Sequence, residues 1–595
     1  MSEPPLKVLK NHLKQLGYDG LVLPMADAFQ TESLSPAHRR IEYLTGFKGS
    51  YGYLLVLPET TGLFVDGRYT LQAQNQVNTS DIQIHPHGFP SIKTWLGQQK
   101  VEGLKIAYDP WIQTVAEISH LETMGKSLGV SFVPHLSENI VDQVWKTRPS
   151  STEALAEIYP SEYAGEESSV KIQRITDVFP DHKIDTMFLG HPESICWLLN
   201  FRGKDTACTP IAYCYALLHK NASLDLFIEP GKISSDLQTH LGPRVTVRPL
   251  NQIQGIFSQL KEKGVKVGLD PKTTPSAIYK FLEQIDLPFL ALEDPCVLPK
   301  SLKTEKEISH VHQAHIWDGV ALVKFMAWLE EEVPKGTVTE FSSAEKLNGF
   351  RQENPHLKSL SFETISAVGP NSAMTHYHAS EGTSSPLKTG EMYLFDSGGQ
   401  YFEGTTDVTR TVSLGKKPSK KQKEIFTRVL KGMISLMNAK FPVGTIGTQL
   451  DILARQYLWQ IGQDYSHSTG HGVGFYLNVH EGPQNISARP LNVPLRPGMI
   501  LSDEPGCYLE NEFGVRIENL MVVKNSELPK TLEFENLTVA PLDASLMDRA
   551  LLSSEEIDWI NAYHRDVYKK LSPLLEKDLK LWLKKATQKL TKRLE

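Results

Sequence analysis

Leu394-Phe395-Asp396-Ser397-Gly398-Gly399 and, a short turn later, Gly404-Thr405-Thr406-Asp407-Val408-Thr409-Arg410 form the stretch on which the reading of this chain turns. The first string reads as an apolar strand ending on Asp396. The second reads as the strand that returns after the 397–404 turn, carrying Asp407. Such a hairpin can set both side chains on one face. Two carboxylates among apolar residues and glycines repel each other and are costly to bury, so a cation is their natural compensation.

Three further strings lie downstream. His471 sits in Thr469-Gly470-His471-Gly472-Val473-Gly474, Glu504 in Leu501-Ser502-Asp503-Glu504-Pro505-Gly506, and Glu518 in Gly514-Val515-Arg516-Ile517-Glu518-Asn519. Taken singly, Asp396 and Glu504 are ordinary turn residues and His471 an ordinary loop histidine. Glu518, on an apolar strand, is harder to dismiss, because an unpaired buried carboxylate is expensive. Together, four carboxylates and one imidazole suit hard or borderline divalent ions such as Mn²⁺, Co²⁺ or Zn²⁺. A single catalytic ion commonly takes about three protein ligands. Two ions about 3.5–4 Å apart would use the whole set.

Upstream of this region the chain alternates helical and strand patterns. Leu6–Leu16 reads as an amphipathic helix and Gly20–Pro24 as a strand; 52–57 and 62–66 form a hairpin about the turn 58–61. After a polar stretch at 148–159 a second pattern of the same kind begins, with a helix over 165–179 and strands at 186–189, 212–218 and 265–269. Residues 298–303 read as a linker. A long helix starts near Thr304, its first turn acidic through Glu305 and Glu307, and runs towards Leu329. Trp559, Ile560, Tyr563 and Val567 recur at helical spacing in the tail. The class is α/β (α+β), with domains expected at 1–150, 151–303 and 304–595.

Composition narrows the field. The chain has 595 residues and a net charge of −7 from 62 basic and 69 acidic side chains. That balance offers no basic face for nucleic acid. No apolar run approaches the ~20 residues that span a bilayer, and the N-terminus lacks the apolar centre of a signal peptide. Five sparse cysteines with no Cys-x-x-Cys pair fit a reducing compartment. A cytoplasmic protein without a membrane or nucleic-acid partner is expected.

On these strings the chain resembles metal-dependent aminopeptidases of the pita-bread fold, most closely the three-domain cytosolic Xaa-Pro aminopeptidases. The resemblance implies two creatinase-like N-terminal domains and a C-terminal pita-bread catalytic domain with a short extension. It implies a metal-ligand set of Asp396, Asp407, His471, Glu504 and Glu518 holding two divalent ions per subunit, most commonly Mn²⁺. In it Asp407 and Glu518 bridge the ions, Asp396 completes one, and His471 with Glu504 completes the other. Further matches are His376 in Thr375-His376-Tyr377, His467 in His467-Ser468-Thr469-Gly470-His471, His480 in Val479-His480-Glu481-Gly482-Pro483, and Arg516. These imply that His467 shapes a proline pocket, that His376 and His480 contact the peptide, and that Arg516 lies near the site. Arg40–Gln74 and the stretch Ile195–Gly203 resemble the two N-terminal domains. His378 departs from the family pattern, where a small residue is expected. A homodimer is implied as well.

The implied reaction is hydrolysis of the first peptide bond of substrates with proline second, with Glu504 passing the proton and His376 and His480 assisting. Prolidase shares the ligand set but takes dipeptides, and remains an alternative. Methionine aminopeptidase would not need some 300 residues ahead of the catalytic part, and creatinase lacks the metals. A non-catalytic pita-bread protein that binds peptides is the other class; such proteins lose the ligands, which are all present here.

Overall fold

The computed structural model describes residues 3–150, 154–415 and 417–591. The boundary expected at 150/151 falls against residues 151–153, which lie outside the described residues, as does the end of the tail at 592–595. The chain forms two compact units, Met1–Cys296 and Val297–Glu595.

The first unit contains two six-stranded sheets of one design. In the first, the strands run Gln83–Pro86, Thr61–Val65, Tyr53–Val56, Gly20–Pro24, Lys105–Tyr108, Ser131–Pro134. The antiparallel meander 20–24, 53–56, 61–65 sits at the centre, and parallel strands extend it on both sides. The second repeats that order and those directions with Val245–Arg248, Leu224–Ile228, Cys214–His219, Thr186–Leu189, Val267–Leu269 and Phe289–Ala291. The internal likeness suggested by the sequence is therefore a shared topology. The central strands 20–24, 53–56 and 186–189 are buried along their whole length, which is why they read as continuous apolar runs rather than alternations.

The second unit begins with a helix. Residues 298–303, expected as a linker, begin as the short helix Val297–Ser301. Leu298 and Leu302 pack on the core around Leu501 and Met521, and Lys300 and Lys303 are buried against Glu481. The long helix Glu305–Glu332 starts where expected, capped by Thr304 and Glu307 in a capping box. Four antiparallel sheets follow among the described residues. A six-stranded one runs Lys440–Pro442, Thr531–Asn536, Asn519–Asn525, Ile500–Asp503, Gly470–Gly472, Glu481–Ile486; a three-stranded one runs Ile365–Val368, Met392–Ser397, Val408–Ser413. The helices Lys420–Met437 and Ser554–Leu571 share one apolar core, to which Ile425, Val429, Met433, Ile560 and Val567 contribute. The cysteines at 196, 208, 214, 296 and 507 are free and buried. No described helix is long and apolar enough to cross a membrane.

Two buried histidines of this unit predict an acid-sensitive fold. His315, 3% exposed, donates from Nδ1 to the Val311 carbonyl. His564, 1% exposed, accepts the Leu542 N–H on Nε2. Burial lowers both from 6.5 to about 4, and the nearby Arg410 charge adds to the effect at His564. The unfolded chain binds these protons first, so stability falls as pH drops from about 6.5 to about 4, by up to about 3 kcal/mol per group. The unfolding midpoint is expected to fall steeply across that window. His564→Gln keeps an acceptor for Leu542 and should flatten part of the slope, as calorimetry at several pH values would detect.

Candidate metal centre

Asp396, Asp407, Glu504 and Glu518 sit near a strand end or in a break between strands, where a side chain can turn into the site. Asp396 is the fifth residue of Met392–Ser397 and pairs with Ile365 on one side and Thr409 on the other. Asp407 does not lie on the returning strand as expected. It immediately precedes Val408–Ser413, because the intervening residues fold into a second small hairpin, Gly399–Tyr401 with Gly404–Thr405. Glu518 likewise occupies the break between Phe513–Arg516 and Asn519–Asn525 rather than a continuous strand. Its N–H is held by the Thr409 carbonyl at 3.1 Å. Glu504 follows Ile500–Asp503 directly, and its N–H donates to the Thr469 carbonyl at 2.8 Å.

His471 is the middle residue of the strand Gly470–Gly472. A Cβ at Gly470 would lie 1.9 Å from the Ser502 carbonyl oxygen, and one at Gly472 would lie 2.1 Å from that of Glu481. Only glycine on either side lets this strand sit between its neighbours. The His471 Nδ1–H donates to the Gly472 carbonyl at 2.9 Å, which aims Nε2 inward. Nε2 lies 3.5 Å from an Asp407 oxygen and 3.4 Å from a Glu504 oxygen. Ligand atoms of Asp407, His471 and Glu518 all lie within 4.8 Å of one another.

The electrostatics are those of acids forced together. Burial and the Asp407 charge raise Asp396 to about 7, although Arg516 opposes them. Burial with the Asp407 and Asp396 charges raises Glu518, and burial also raises Glu504. Burial works against a charged His471, yet Asp407 and Glu504 push it up to about 9. Asp396 Oδ1 is buried without a hydrogen-bond partner. An orphaned carboxylate oxygen beside a mutually repelling donor set of four carboxylates and an imidazole fits divalent cations.

The other expected residues fall into two groups. Arg516, 1% exposed, donates from Nη2 to Asp396 at 2.6 Å, from Nε to the Thr409 hydroxyl at 3.1 Å, and from Nη1 to the Tyr508 oxygen at 2.9 Å. The Thr409 hydroxyl in turn donates to Glu518 at 2.9 Å. His467 Nδ1 donates to the Ser468 carbonyl, and its Nε2 accepts from Tyr508 at 2.8 Å. The rings of His480 and His471 meet edge to face at 4.4 Å. These residues therefore join the acid cluster. His376 lies on the connection between the strands Ile365–Val368 and Met392–Ser397. It follows the turn Gly369–Ala373, whose Ser372 hydroxyl accepts the Gly514 N–H at 2.7 Å. His378 lies on the same loop, 3.9 Å from the exposed Glu363.

Sequence reasoning missed Thr409 and Tyr508, which link the acids to Arg516 and His467. It also missed Asp451 and Arg455 on the helix Thr448–Trp459. Arg455 donates to the Tyr465 and His467 carbonyls at 2.6 and 2.8 Å, and Asp451 accepts the Thr469 hydroxyl at 2.6 Å, so the pair holds the loop that leads to His471. No local signal could have found these residues, because their partners are distant in sequence. Thr409, two residues after Asp407 in the same stretch, was the nearest to legible.

Comparison with known proteins agrees with this geometry. Residues 309–525 match the profile of "Metallopeptidase family M24", and 530–590 match the C-terminal region of that peptidase. Residues 5–140 and 147–307 each match the "Creatinase/Prolidase N-terminal domain". A protein of Aspergillus niger named "Probable Xaa-Pro aminopeptidase P" is 36% identical, covering 98% of each chain. The crystal structure of an X-prolyl aminopeptidase from Caenorhabditis elegans, described as a cytosolic enzyme with a di-nuclear active site, superposes with a TM-score of 0.93 at 32% identity, over 98% of this chain and 99% of that one. An Xaa-Pro dipeptidase from Bacillus anthracis reaches a TM-score of 0.54 at 27% identity, covering 99% of its own length but 63% of this chain. On its sequence, its fold and the acid cluster at its centre, the chain belongs to metallopeptidase family M24, alongside the Xaa-Pro aminopeptidases.

Proposed function

We propose that the chain is a metal-dependent aminopeptidase that removes an N-terminal residue preceding proline. The observation that carries this reading is the buried convergence of Asp407, His471 and Glu518, with Asp396 and Glu504 beside them, in a chain alike over its full length to Xaa-Pro aminopeptidases. Asp396, Asp407, His471, Glu504 and Glu518 would hold two divalent ions, manganese by preference. The ions would supply a water acidified enough to attack a peptide carbonyl near neutral pH.

The chain's own groups do the rest. Glu504 takes the proton from the attacking water and delivers it to the proline nitrogen as the C–N bond breaks, leaving a carboxylic acid and a secondary amine, which exchange the remaining proton to give a carboxylate and an ammonium group. His480, packed on His471, and His376 hydrogen-bond the peptide and its carbonyl oxygen. Proline supplies no N–H, so selectivity needs a shape that accepts its ring. His467 offers one wall of it, held between the Tyr465 ring at 4.8 Å and the Tyr508 hydroxyl. Arg516 fixes Asp396 and Tyr508 together.

The same reading divides the chain at 1–150, 151–303 and 304–595. It makes the protein a cytoplasmic homodimer acting on peptides, without nucleic-acid or membrane partners. The dipeptidase alternative is disfavoured, since the Aspergillus and Caenorhabditis relatives that match the chain over its full length are Xaa-Pro aminopeptidases. The test is a metal-stripped preparation, restored with Mn²⁺, Co²⁺ or Zn²⁺ and offered Arg-Pro-Pro, Arg-Ala-Ala and Ala-Pro. Metal-restored release of arginine from Arg-Pro-Pro, with Arg-Ala-Ala intact, is the expected result. Cleavage of Ala-Pro alone would transfer the assignment to the dipeptidases, and no cleavage with any ion would refute it.

A further inference from the structure

His376 is carried by residues 369–391, between the strands Ile365–Val368 and Met392–Ser397. Apart from the turn Gly369–Ala373 this segment has no regular structure of its own. Connections longer than about 12–15 residues without secondary structure are uncommon in compact domains and are often functional. Something outside the loop must therefore fix where its histidine stands.

The Ser372–Gly514 bond ties down the start of the loop; the anchor that reaches its entry, middle and exit together is one carboxylate. Glu340 is the first residue of the helix Glu340–Gln352, and its side chain is wholly buried. Its Oε1 accepts the Val368 N–H at 2.8 Å and the Asn371 amide at 3.0 Å. Its Oε2 accepts the Ser385 N–H at 2.8 Å, the Tyr377 hydroxyl at 2.9 Å and the same Asn371 amide at 3.1 Å. Its own N–H donates to the Ser385 carbonyl at 2.9 Å, and its carbonyl accepts the Ser366 hydroxyl at 2.6 Å. The four donors to the carboxylate, two backbone N–H groups and two side chains, are neutral, and they come from the entry, the middle and the exit of the loop. Tyr377, the central one, is bonded directly to His376 in the chain. A buried carboxylate is costly, and cheaper anchors exist. A charge-assisted acceptor that gathers four donors is the strongest single anchor available to an irregular loop.

We propose that Glu340 is the positioning residue for His376. Through Tyr377 it sets the histidine's reach towards the peptide, without touching substrate or metal. The inference rests on the peptidase reading above, in which His376 meets the substrate.

The experiment is a double-mutant cycle on the full-length enzyme, with Arg-Pro-Pro as substrate. Glu340→Gln keeps the volume and one acceptor oxygen but turns an amide towards Ser385 and Tyr377. A displacement of about 1 Å in a reacting group costs on the order of 10²-fold. Glu340→Gln should therefore lower kcat by about 10- to 100-fold, with KM changed less than about threefold and bound metal unchanged. Tyr377→Phe should give a smaller loss of the same kind. In a His376→Ala background both substitutions should be nearly silent, because the group they position is gone. A merely structural Glu340 would act equally in both backgrounds; that result, or full kcat in both variants, overturns the proposal. If Glu340→Gln does not fold, the Tyr377→Phe cycle decides alone. Wild-type enzyme inactive on every Xaa-Pro peptide would instead defeat the peptidase reading, and is seen before any variant is made.

Discussion

Asp407→Asn is expected to lower kcat/KM on an Xaa-Pro peptide by at least about 10³-fold and to reduce the metal bound per chain. The argument starts from its surroundings. Asp407 is 4% exposed and lies with His471 and Glu518 inside a 4.8 Å cluster, with Glu504 also reaching the same imidazole. Asparagine fills the same volume, so packing hardly changes, but one negative charge is lost at the centre of the donor set. Cation affinity in such a site is carried by charged oxygens in low dielectric, where a neutral amide is a far weaker partner. The rate follows the metal, because the acidity of the attacking water depends on it. Tenfold in rate is 1.36 kcal/mol, so 10³-fold asks for about 4 kcal/mol of transition-state stabilisation. Metal analysis after dialysis, alongside kcat/KM at saturating Mn²⁺, measures both parts. Near-normal activity with near-normal metal content would remove Asp407 from the ligand set. Full metal content with lost activity would keep the residue in the site but give it another task.

Much of this centre was legible in sequence because its acids carry local context. Asp396 closes an apolar strand, His471 stands between glycines that only close strand packing explains, and Glu504 precedes a Pro-Gly turn. The alternation of helix and strand before residue 296 was equally readable, and Gly20–Pro24 and Thr186–Leu189 have the limits their apolar runs suggest. What stayed hidden depends on contacts between distant residues. The small hairpin at 399–405 displaces Asp407 from its strand, and nothing in Gly-Gly-Gln-Tyr announces it against a plain turn. Glu340 looks like a solvated helix-start acid, well placed for the dipole; only the fold reveals that it is buried beneath a loop. The same holds for Lys300 and Lys303. Two lysines in six residues read as a polar linker, because sequence gives no hint of the carboxylate, about 180 positions later, that buries them.

Those lysines set the largest expected effect on stability. Lys300 Nζ lies 2.5 Å from Glu481 Oε2, and Lys303 Nζ bonds Glu481 Oε1 and also donates to the Lys300 carbonyl at 3.3 Å. The side chains are 5%, 1% and 0% exposed. Burial lowers the pKa of Lys303 although Glu481 pulls the other way, so the cluster is close to the limit of what one carboxylate can balance. Glu481→Gln removes the counter-charge bonded to both lysines, leaving Glu307 as a weaker influence on Lys303, and sets two ammonium groups near each other out of water. Breaking a buried pair from one side costs about 3–5 kcal/mol, or roughly 5–8 °C in the melting midpoint of a unit this large. Lys303→Met should cost much less, because Lys300 and Glu481 then form a neutral pair and the new side chain is apolar. This ranking, acid loss far worse than base loss, is the signature of a two-to-one cluster and is read directly from thermal unfolding of the three proteins. Equal small shifts would mean that water reaches the lysines. The loss should extend to catalysis on heating, since Glu481 follows His480 directly and opens the strand that pairs with Gly470–Gly472. The helix at 297–301 thereby reaches the histidines of the site through a single buried acid, which is why a stretch that reads as a linker folds as part of the catalytic unit.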